Sequence, residues 1–532
     1  MTQEKNENKK PFYITTTLPY VNAEPHIGFA MEAVRADVIA RAKRALGYDV
    51  IFNTGTDEHG SKLYEGAVKE NLTPQVYVDK YSQRFKDFHE ISNISYDRFI
   101  RTTDEKHILA AQKMWQKCFN NGDIYKKNYK TKYCIGCELE KTDSELIDGK
   151  CIDHPTKIIE ERDEENYFFK FSNYEGKLLE LYNKKNENKL DANINFRNNS
   201  FVIPDSRQNE VSAFVKNGLQ DFSISRLKAK MPWGVDVPGD SEHVMYVWFD
   251  ALTSYISTLD WGYGEDTEEY FSFIRYWEQD SLWSDINEDR IKRGAVQYCG
   301  KDNNRQQSAM WQAMLISAGI PNSTNIIING FIQSGGQKMS KSTGNVISPF
   351  DIINEYKGLA IHPEEVLRFI VTSEVSTFED GDLTVDVMHA AYQSKLANGI
   401  GNLTSRVMKM VTSNFTQPIK IEGDILKNIN SEVRERIENL CATYDHQRYM
   451  QSTWENINNL DEYISINSPF KKVKSEEESI KQEGLNNITH CVQELYKISE
   501  LIKLVMPKTS KLIQELISSH KVPESPIFNR LI

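Results

Sequence analysis

Between Phe12 and Asn53 the chain runs apolar strand, amphipathic helix, apolar strand, and that order restricts the fold more than any other feature. Phe12 to Leu18 is apolar and β-branched, the composition of a buried strand. A helix is predicted to open at Pro25, since the first turn tolerates a missing N–H. Ile27, Met31, Val34, Val38, Ala42 and Ala45 recur at helical spacing, and Gly47 marks the end. Asp49 to Asn53 is the next strand. Strand–helix–strand wound this way predicts an α/β fold with a doubly wound parallel sheet of Rossmann type. Such sheets take ligands at the carboxyl ends of their strands.

At 532 residues the chain has room for several domains. Residues 1–116 and 237–325 read as the two halves of the α/β domain, separated by an insertion over 117–236 of different character. Residues 326–385 form a connecting region, and 386–532 repeat at helical spacing with long polar faces, as in a helix bundle. The Asn- and Lys-rich tract from Asn183 to Asn199 lacks apolar periodicity and reads as an exposed loop. Lys471 to Gln482 reads as a loop or a solvated helix end. No apolar run reaches the length of a membrane span, and Met1 to Lys10 is polar, so a cytoplasmic chain is expected. A net charge of −12 excludes a basic coat but not a local basic face for phosphates.

Four short motifs carry chemistry. Cys134-x2-Cys137, followed after 13 residues by Cys151-x2-His154, has the spacing of a tetrahedral zinc site with three thiolates and one imidazole. With four protein ligands such a site is closed to water, hence structural. Cys118, Cys299, Cys441 and Cys491 read as core residues. Gly55-Thr56-Asp57-Glu58-His59-Gly60 follows the second strand, where Asp57 is either a turn residue or a partner for a substrate ammonium. Lys338-Met339-Ser340-Lys341-Ser342 follows Gly335-Gly336 and offers two ammonium groups and two hydroxyls, enough to close over a polyphosphate. A Lys/Ser loop is more often a solvated surface loop. Pro25-His26-Ile27-Gly28-Phe29 stands at a helix N-terminus, which favours an anion.

The last two motifs resemble the HIGH and KMSKS signatures of class I aminoacyl-tRNA synthetases, the second in every letter, the first with Phe29 in place of the final His. The resemblance narrows to methionyl-tRNA synthetases. It is carried by Phe12–Gly60, the Cys134–His154 knuckle, Glu165–Phe169, Gly218–Arg226, Tyr246–Tyr255, Gly300-Lys301-Asp302 and Asn329–Val346, and it fades beyond about 390. It implies activation of L-methionine with ATP to methionyl-adenylate and transfer to the 3′ end of tRNA(Met). Leu18, Tyr20, Asp57, Trp248, Ala251, Leu252, Tyr255 and Gln307 match the methionine pocket, with Asp57 on the α-ammonium and Tyr20 as the expected contact to sulfur. His26, Gly28, Lys338 and Lys341 match the catalytic and ATP-binding positions, and Arg226 one near the adenylate; Mg²⁺ is expected with the nucleotide. Asn402 and Arg406 match anticodon-reading positions, and Phe470 stands where the family usually has Trp.

Phe29 and Gln307 both replace histidines of the family pattern. They favour, as the competing reading, a catalytically impaired tRNA-binding paralogue; the complete KMSKS loop, Asp57 and Trp248 favour an enzyme. A synthetase for another aliphatic amino acid would need a larger editing insertion than 117–236 supplies. The chain stops at Ile532 without the C-terminal oligonucleotide-binding domain that brings dimerisation in some relatives, so a monomer is expected.

Overall fold

The computed structural model describes residues 9–136, 139–141, 146–152, 154–183, 200–264, 267, 270–278, 295–338 and 347–531. Of the tract read as an exposed loop, 184–199 lies outside them. Six strands build the central sheet: β1 (Pro11–Thr16), β2 (Asp49–Thr56), β3 (Arg98–Arg101), β4 (Val202–Ile203), β5 (Ala295–Gly300) and β6 (Asn325–Asn329). Their order is β3-β2-β1-β5-β6-β4, with every ladder parallel. The winding reverses between β1 and β5, which opens a crevice at their carboxyl ends. Both faces are covered, so alternate residues of one strand enter different cores. Ile14 and Phe52 pack on one side with the helix Ile27–Ala45 (α1). Tyr13 and Ile51 pack on the other with Trp261 and Trp311.

α1 begins at Ile27, two residues later than the sequence predicts. Pro25 is outside because His26, in extended conformation, is the cap. Gly47 closes the helix at φ +88°, a left-handed conformation that glycine adopts without strain. The sheet-like sequence over His243–Phe249 is only partly strand: the strand Asp240–Met245 ends there, and Val247 already opens a helix, Val247–Leu252.

The insertion is built on a long antiparallel pair, Ile124–Cys134 with Ile159–Phe169, so the acidic run Glu160–Glu165 is strand. The C-terminal part is helical, with Gly423–Thr443, His446–Asn467, Glu478–Ile502 and Pro507–Ser519 as its long members. Of the charged stretch Lys471–Gln482, only the middle is loop: a short helix ends at Lys472 and the next starts at Glu478. Among the described residues, no helix is long and apolar enough to cross a membrane.

One buried arginine joins the bundle to α1. Arg368 pairs with Asp37 of α1 at 2.7 Å and donates to the carbonyls of Leu504, Val505 and Ser92. Burial opposes ionisation of Asp37, but the Arg368 and Arg41 charges outweigh it and hold its carboxyl below the usual range.

His89 lies inside an aromatic cage of Phe29, Phe88, Tyr96 and Phe99. Its Nδ1–H donates to the Phe85 carbonyl at 2.6 Å, and its Nε2 accepts from the Thr54 hydroxyl at 3.2 Å. That is a neutral imidazole, and burial lowers its pKa from 6.5 to about 4. In this window the unfolded chain binds the proton and the native chain does not, so stability falls as pH drops from 6.5 towards 4. Between neutral pH and 4.5 the loss from His89 should reach about 2–3 kcal/mol. Denaturant unfolding at the two pH values tests this: His89→Leu should flatten the acid slope.

Candidate active site

Most of the described residues that the sequence singles out in the α/β part follow β1, β2, β5 and β6 in the chain, and Trp248 to Tyr255 lie on the short helices before β5. After β1 the chain runs through Leu18 and Tyr20 to His26, whose Nδ1 accepts the N–H groups of Gly28 (3.1 Å) and Phe29 (3.3 Å). A ring nitrogen that accepts has no proton, so the imidazole carries its hydrogen on Nε2, as a donor. A Cβ on Gly28 would lie 3.1 Å from that ring, which explains the glycine. Phe29, at the last position of the motif, is turned into the core, edge-on to Phe85 at 4.9 Å and to Phe88. It contributes packing and no donor.

Asp57 lies at the end of β2. Its N–H donates to the Pro19 carbonyl (2.9 Å) and its carbonyl accepts from Val21 (3.2 Å), so the β1 and β2 loops are laced together with Tyr20 opposite Asp57. Gly60 follows at φ +116°, and a Cβ there would stand 2.4 Å from the Tyr20 hydroxyl. Between them, Glu58 is fully buried and accepts from Thr56 (2.6 Å), Arg101 (2.7 Å) and Thr103 (2.5 Å). Trp248, Ala251, Leu252 and Tyr255 come from the turns over 247–257; Ala251, Leu252 and Tyr255 are buried and Trp248 is partly so.

Asp250, in the same segment, takes His59 on one oxygen (2.6 Å) and His107 on the other (2.7 Å). Burial disfavours its charge, yet the two imidazoles win and bring it down to about 2. This His–Asp–His bridge ties the Asp57 turn to the Trp248 helix. Sequence reasoning passed over it: His107 is one of 11 histidines, with no motif around it. Glu32, on the first turns of α1, was also passed over; burial pushes its carboxyl up to about 8, though it accepts the Thr17 N–H at 2.7 Å.

The chain just past the second signature returns to the first. Gly335 and Gly336, at φ +63° and +73°, turn a hairpin between Ile332–Ser334 and Gln337–Lys338. Lys338 opens the Lys/Ser motif on that hairpin; Lys341 lies outside the described residues. Just past the motif, the Ile347 carbonyl accepts the N–H of Ile27 at 3.0 Å, beside the His26 cap.

Arg226 is buried, donates to Ser223 (2.9 Å) and to the Ser225 carbonyl (2.7 Å), and stacks its guanidinium on Tyr246 and Tyr133. Tyr133 precedes Cys134 at the strand end. Asp148-Gly149, both at positive φ, turn the small hairpin that pairs Cys151 with Leu146. The ligand atoms of Cys134, Cys151 and His154 lie within 4.8 Å of one another, a donor set that fits a metal ion. Cys137 lies outside the described residues. Lys62 Nζ holds the Gly136 carbonyl at 2.9 Å, docking this unit on the α/β domain.

In the bundle, Asn402 and Arg406 sit one turn apart on the helix Asn402–Asn414, and Arg406 pairs with Asp461 of the helix His446–Asn467. Phe470, 42% exposed, follows that helix. Gly484 has no room for a Cβ against Val473, so the short helix carrying Phe470 rests directly on the helix Glu478–Ile502.

A parallel sheet whose crevice carries a capped His-Ile-Gly turn and a Lys/Ser hairpin defines a class I synthetase, and the family model "tRNA synthetases class I (M)" matches residues 12–157 and 142–408. The methionine–tRNA ligase of Clostridium tetani is 36% identical over 519 residues, 96% of this chain and 74% of that protein. That of Fusobacterium nucleatum is 34% identical, covering 96% and 75%. The Mycobacterium tuberculosis methionyl-tRNA synthetase in complex with methionyl-adenylate superposes with a TM-score of 0.83 at 31% identity, over 98% of this chain and 100% of that one. The chain belongs to the methionine–tRNA ligase family.

Proposed function

We propose that this chain activates L-methionine with ATP to methionyl-adenylate, releasing pyrophosphate, and transfers the methionyl group to the 3′ end of tRNA(Met). The observation that carries the reading is the Ile27–Ile347 hydrogen bond, which brings the chain just past the Lys/Ser motif beside the His26 cap. No side chain has to form a covalent bond, because the methionine carboxylate attacks the α-phosphorus. Catalysis is then positioning and charge stabilisation.

Asp57 binds the α-ammonium, while Leu18, Tyr20, Trp248, Ala251, Leu252, Tyr255 and Gln307 enclose the thioether chain. The Nε2–H of His26 meets the phosphates, Gly28 lets the backbone close on the nucleotide, Arg226 faces the adenylate, and Lys338 and Lys341 neutralise the departing pyrophosphate. Mg²⁺ accompanies the ATP. Cys134, Cys137, Cys151 and His154 would hold one structural zinc, which replaces the apolar core that so small a unit lacks. Asn402, Arg406 and Phe470 face the anticodon.

In this scheme 1–116 and 237–325 are the catalytic halves, 117–236 the connective insertion, 326–385 the KMSKS and stem-contact region, and 386–532 the anticodon-binding domain. The chain acts in the cytoplasm as a monomer.

ATP–pyrophosphate exchange measured across the amino acids tests the reading. Methionine alone should support exchange, and exchange with no amino acid, or with another in preference, overturns it. Phe470→Ala should weaken tRNA aminoacylation by the value of one stacked base, about 1–3 kcal/mol, or roughly 5- to 150-fold in kcat/KM for tRNA. Exchange should be unchanged; an equal loss in both assays would move Phe470 out of the anticodon site.

A further inference from the structure

Gly300-Lys301-Asp302 carries part of the family resemblance, yet nothing in the proposed reaction uses Lys301. Lys301 opens the short turn Lys301–Asn303 that follows β5. Its ammonium reaches the carboxylate of Asp380, with Nζ 2.8 Å from Oδ1 and 2.6 Å from Oδ2. The same Oδ1 accepts the backbone N–H of Phe331 at 3.0 Å, at the root of the Lys/Ser hairpin. The Lys301 ammonium also lies 4.3 Å from the Phe331 ring centre. Burial opposes the charge on Asp380, but Lys301 and the Phe331 N–H hold its carboxyl below the usual range.

Asp380 belongs to a strap, residues 379–383, that lies along the hairpin as a third strand. Ile332 stands opposite Gly381 and Gln333 opposite Asp382, in parallel register. The Gly381 N–H donates to the Phe331 carbonyl (3.0 Å) and the Leu383 N–H to the Gln333 carbonyl (2.9 Å). The second carboxylate of the strap, Asp382, accepts the Gly336 N–H at the hairpin turn (3.2 Å). Gly330 leaves no slack at the root, since a Cβ there would stand 2.1 Å from the Glu379 carbonyl oxygen. Upstream, the strap is anchored to α1. Arg35, fully buried, donates to the carbonyls of Val375 (2.9 Å), Ser376 (3.0 Å) and Thr377 (3.1 Å) and to the Asn329 Oδ1 (3.0 Å). The hairpin is therefore held at root and turn by one strap, and the strap by the helix that His26 caps. The Lys301–Asp380 pair links this assembly to the end of β5.

We propose that Asp380 is a positioning residue: by latching the root of the Lys/Ser hairpin to the Lys301 turn, it presents the lysines of that motif to the ATP phosphates. The inference rests on the adenylate-forming reading above. Asp380 and Lys301 act through the loop, so neither has to touch the nucleotide. Without the latch the competent loop position is populated only in part, and the apparent affinity for ATP falls by that fraction. The methionine contacts proposed above come from other segments and should not change.

Asp380→Asn keeps an oxygen for the Phe331 N–H and removes the charge that holds Lys301. Its ATP KM in methionine-dependent pyrophosphate exchange should rise about fivefold, the worth of one partly exposed ion pair, with methionine KM within about twofold of wild type. Lys301→Met should give the same split, and the double variant no more than either alone. Asp380→Ser takes the place of Asp380→Asn in this cycle if the latter does not fold. A merely destabilised chain loses active enzyme, which lowers kcat and leaves both KM values in place. An ATP KM less than about twofold above wild type overturns the proposal, as do equal rises in both KM values or losses that multiply in the double variant. So does a loss in Lys301→Met far above that in Asp380→Asn, which would make Lys301 itself a ligand of the phosphates. A wild-type chain without methionine-dependent exchange overturns the functional reading itself; an active wild type that fails the cycle overturns this inference alone.

Discussion

Lys341→Ala should reduce the rate of methionine-dependent ATP–pyrophosphate exchange on the order of 10²–10³-fold, the cost of removing one group that meets charge developing in the transition state. Because the Phe29 ring is spent on Phe85 and Phe88, the N-terminus of α1 presents one imidazole, that of His26, and not two. In the proposed reaction, charge developing on the leaving pyrophosphate would then fall more heavily on the Lys/Ser motif. That motif starts on the hairpin at Lys338, and the next described residue, Ile347, is bonded to Ile27; Lys341 falls between them in the sequence. A lysine acting only on the transition state lowers kcat and kcat/KM together and leaves methionine KM near its wild-type value. Lys341→Arg keeps the charge but spreads it over a planar fork, so it should recover part of the rate. A tenfold or smaller loss in Lys341→Ala would remove the loop from the catalytic role given to it here.

The parts of this molecule legible in the sequence are those with a local signal. The β1–α1–β2 order, Gly47 as a helix stop and the spacing of Cys134, Cys151 and His154 each write themselves into neighbouring residues. His26 was legible as a motif at a helix N-terminus, but the helix start expected at Pro25 lies two residues later, since a proline allowed in a first turn hides the fact that the following imidazole is the cap. What could not be read is what long-range contact decides. Asp250 joins His59 to His107 across 191 and 143 residues, and Arg368 joins α1 to a corner 136 residues further on. Gln297 and Ser323 have no motif at all; β5 and the loop before β6 bring them together with Gln307 in one buried line of hydrogen bonds. Nor could the alphabet tell that Phe29 faces inwards. A substitution that reads as a lost donor is, in the fold, a packed aromatic edge.

Asp57→Asn should raise the methionine KM steeply, lowering kcat/KM for methionine on the order of 10²–10³-fold while kcat for ATP at saturating methionine changes little. Asn has the size of Asp, and the backbone bonds of residue 57 to Pro19 and Val21 do not depend on the side chain, so the turn should keep its shape. What is lost is the charge. Asp57 is 7% exposed, so an ammonium bound beside it has left water and depends on the carboxylate for compensation. Removing one partner of such a pair costs about 2–5 kcal/mol, much of it the penalty of leaving the other charge alone. The surroundings are too rigid for a neighbour to step in. Glu58 is engaged by Thr56, Arg101 and Thr103, and His59 is held by Asp250. Asp57→Glu should therefore rescue little, since an added methylene moves the carboxylate within a turn that does not yield. If methionine KM in Asp57→Asn stays within threefold of wild type, the ammonium is bound elsewhere and Asp57 reverts to a turn residue.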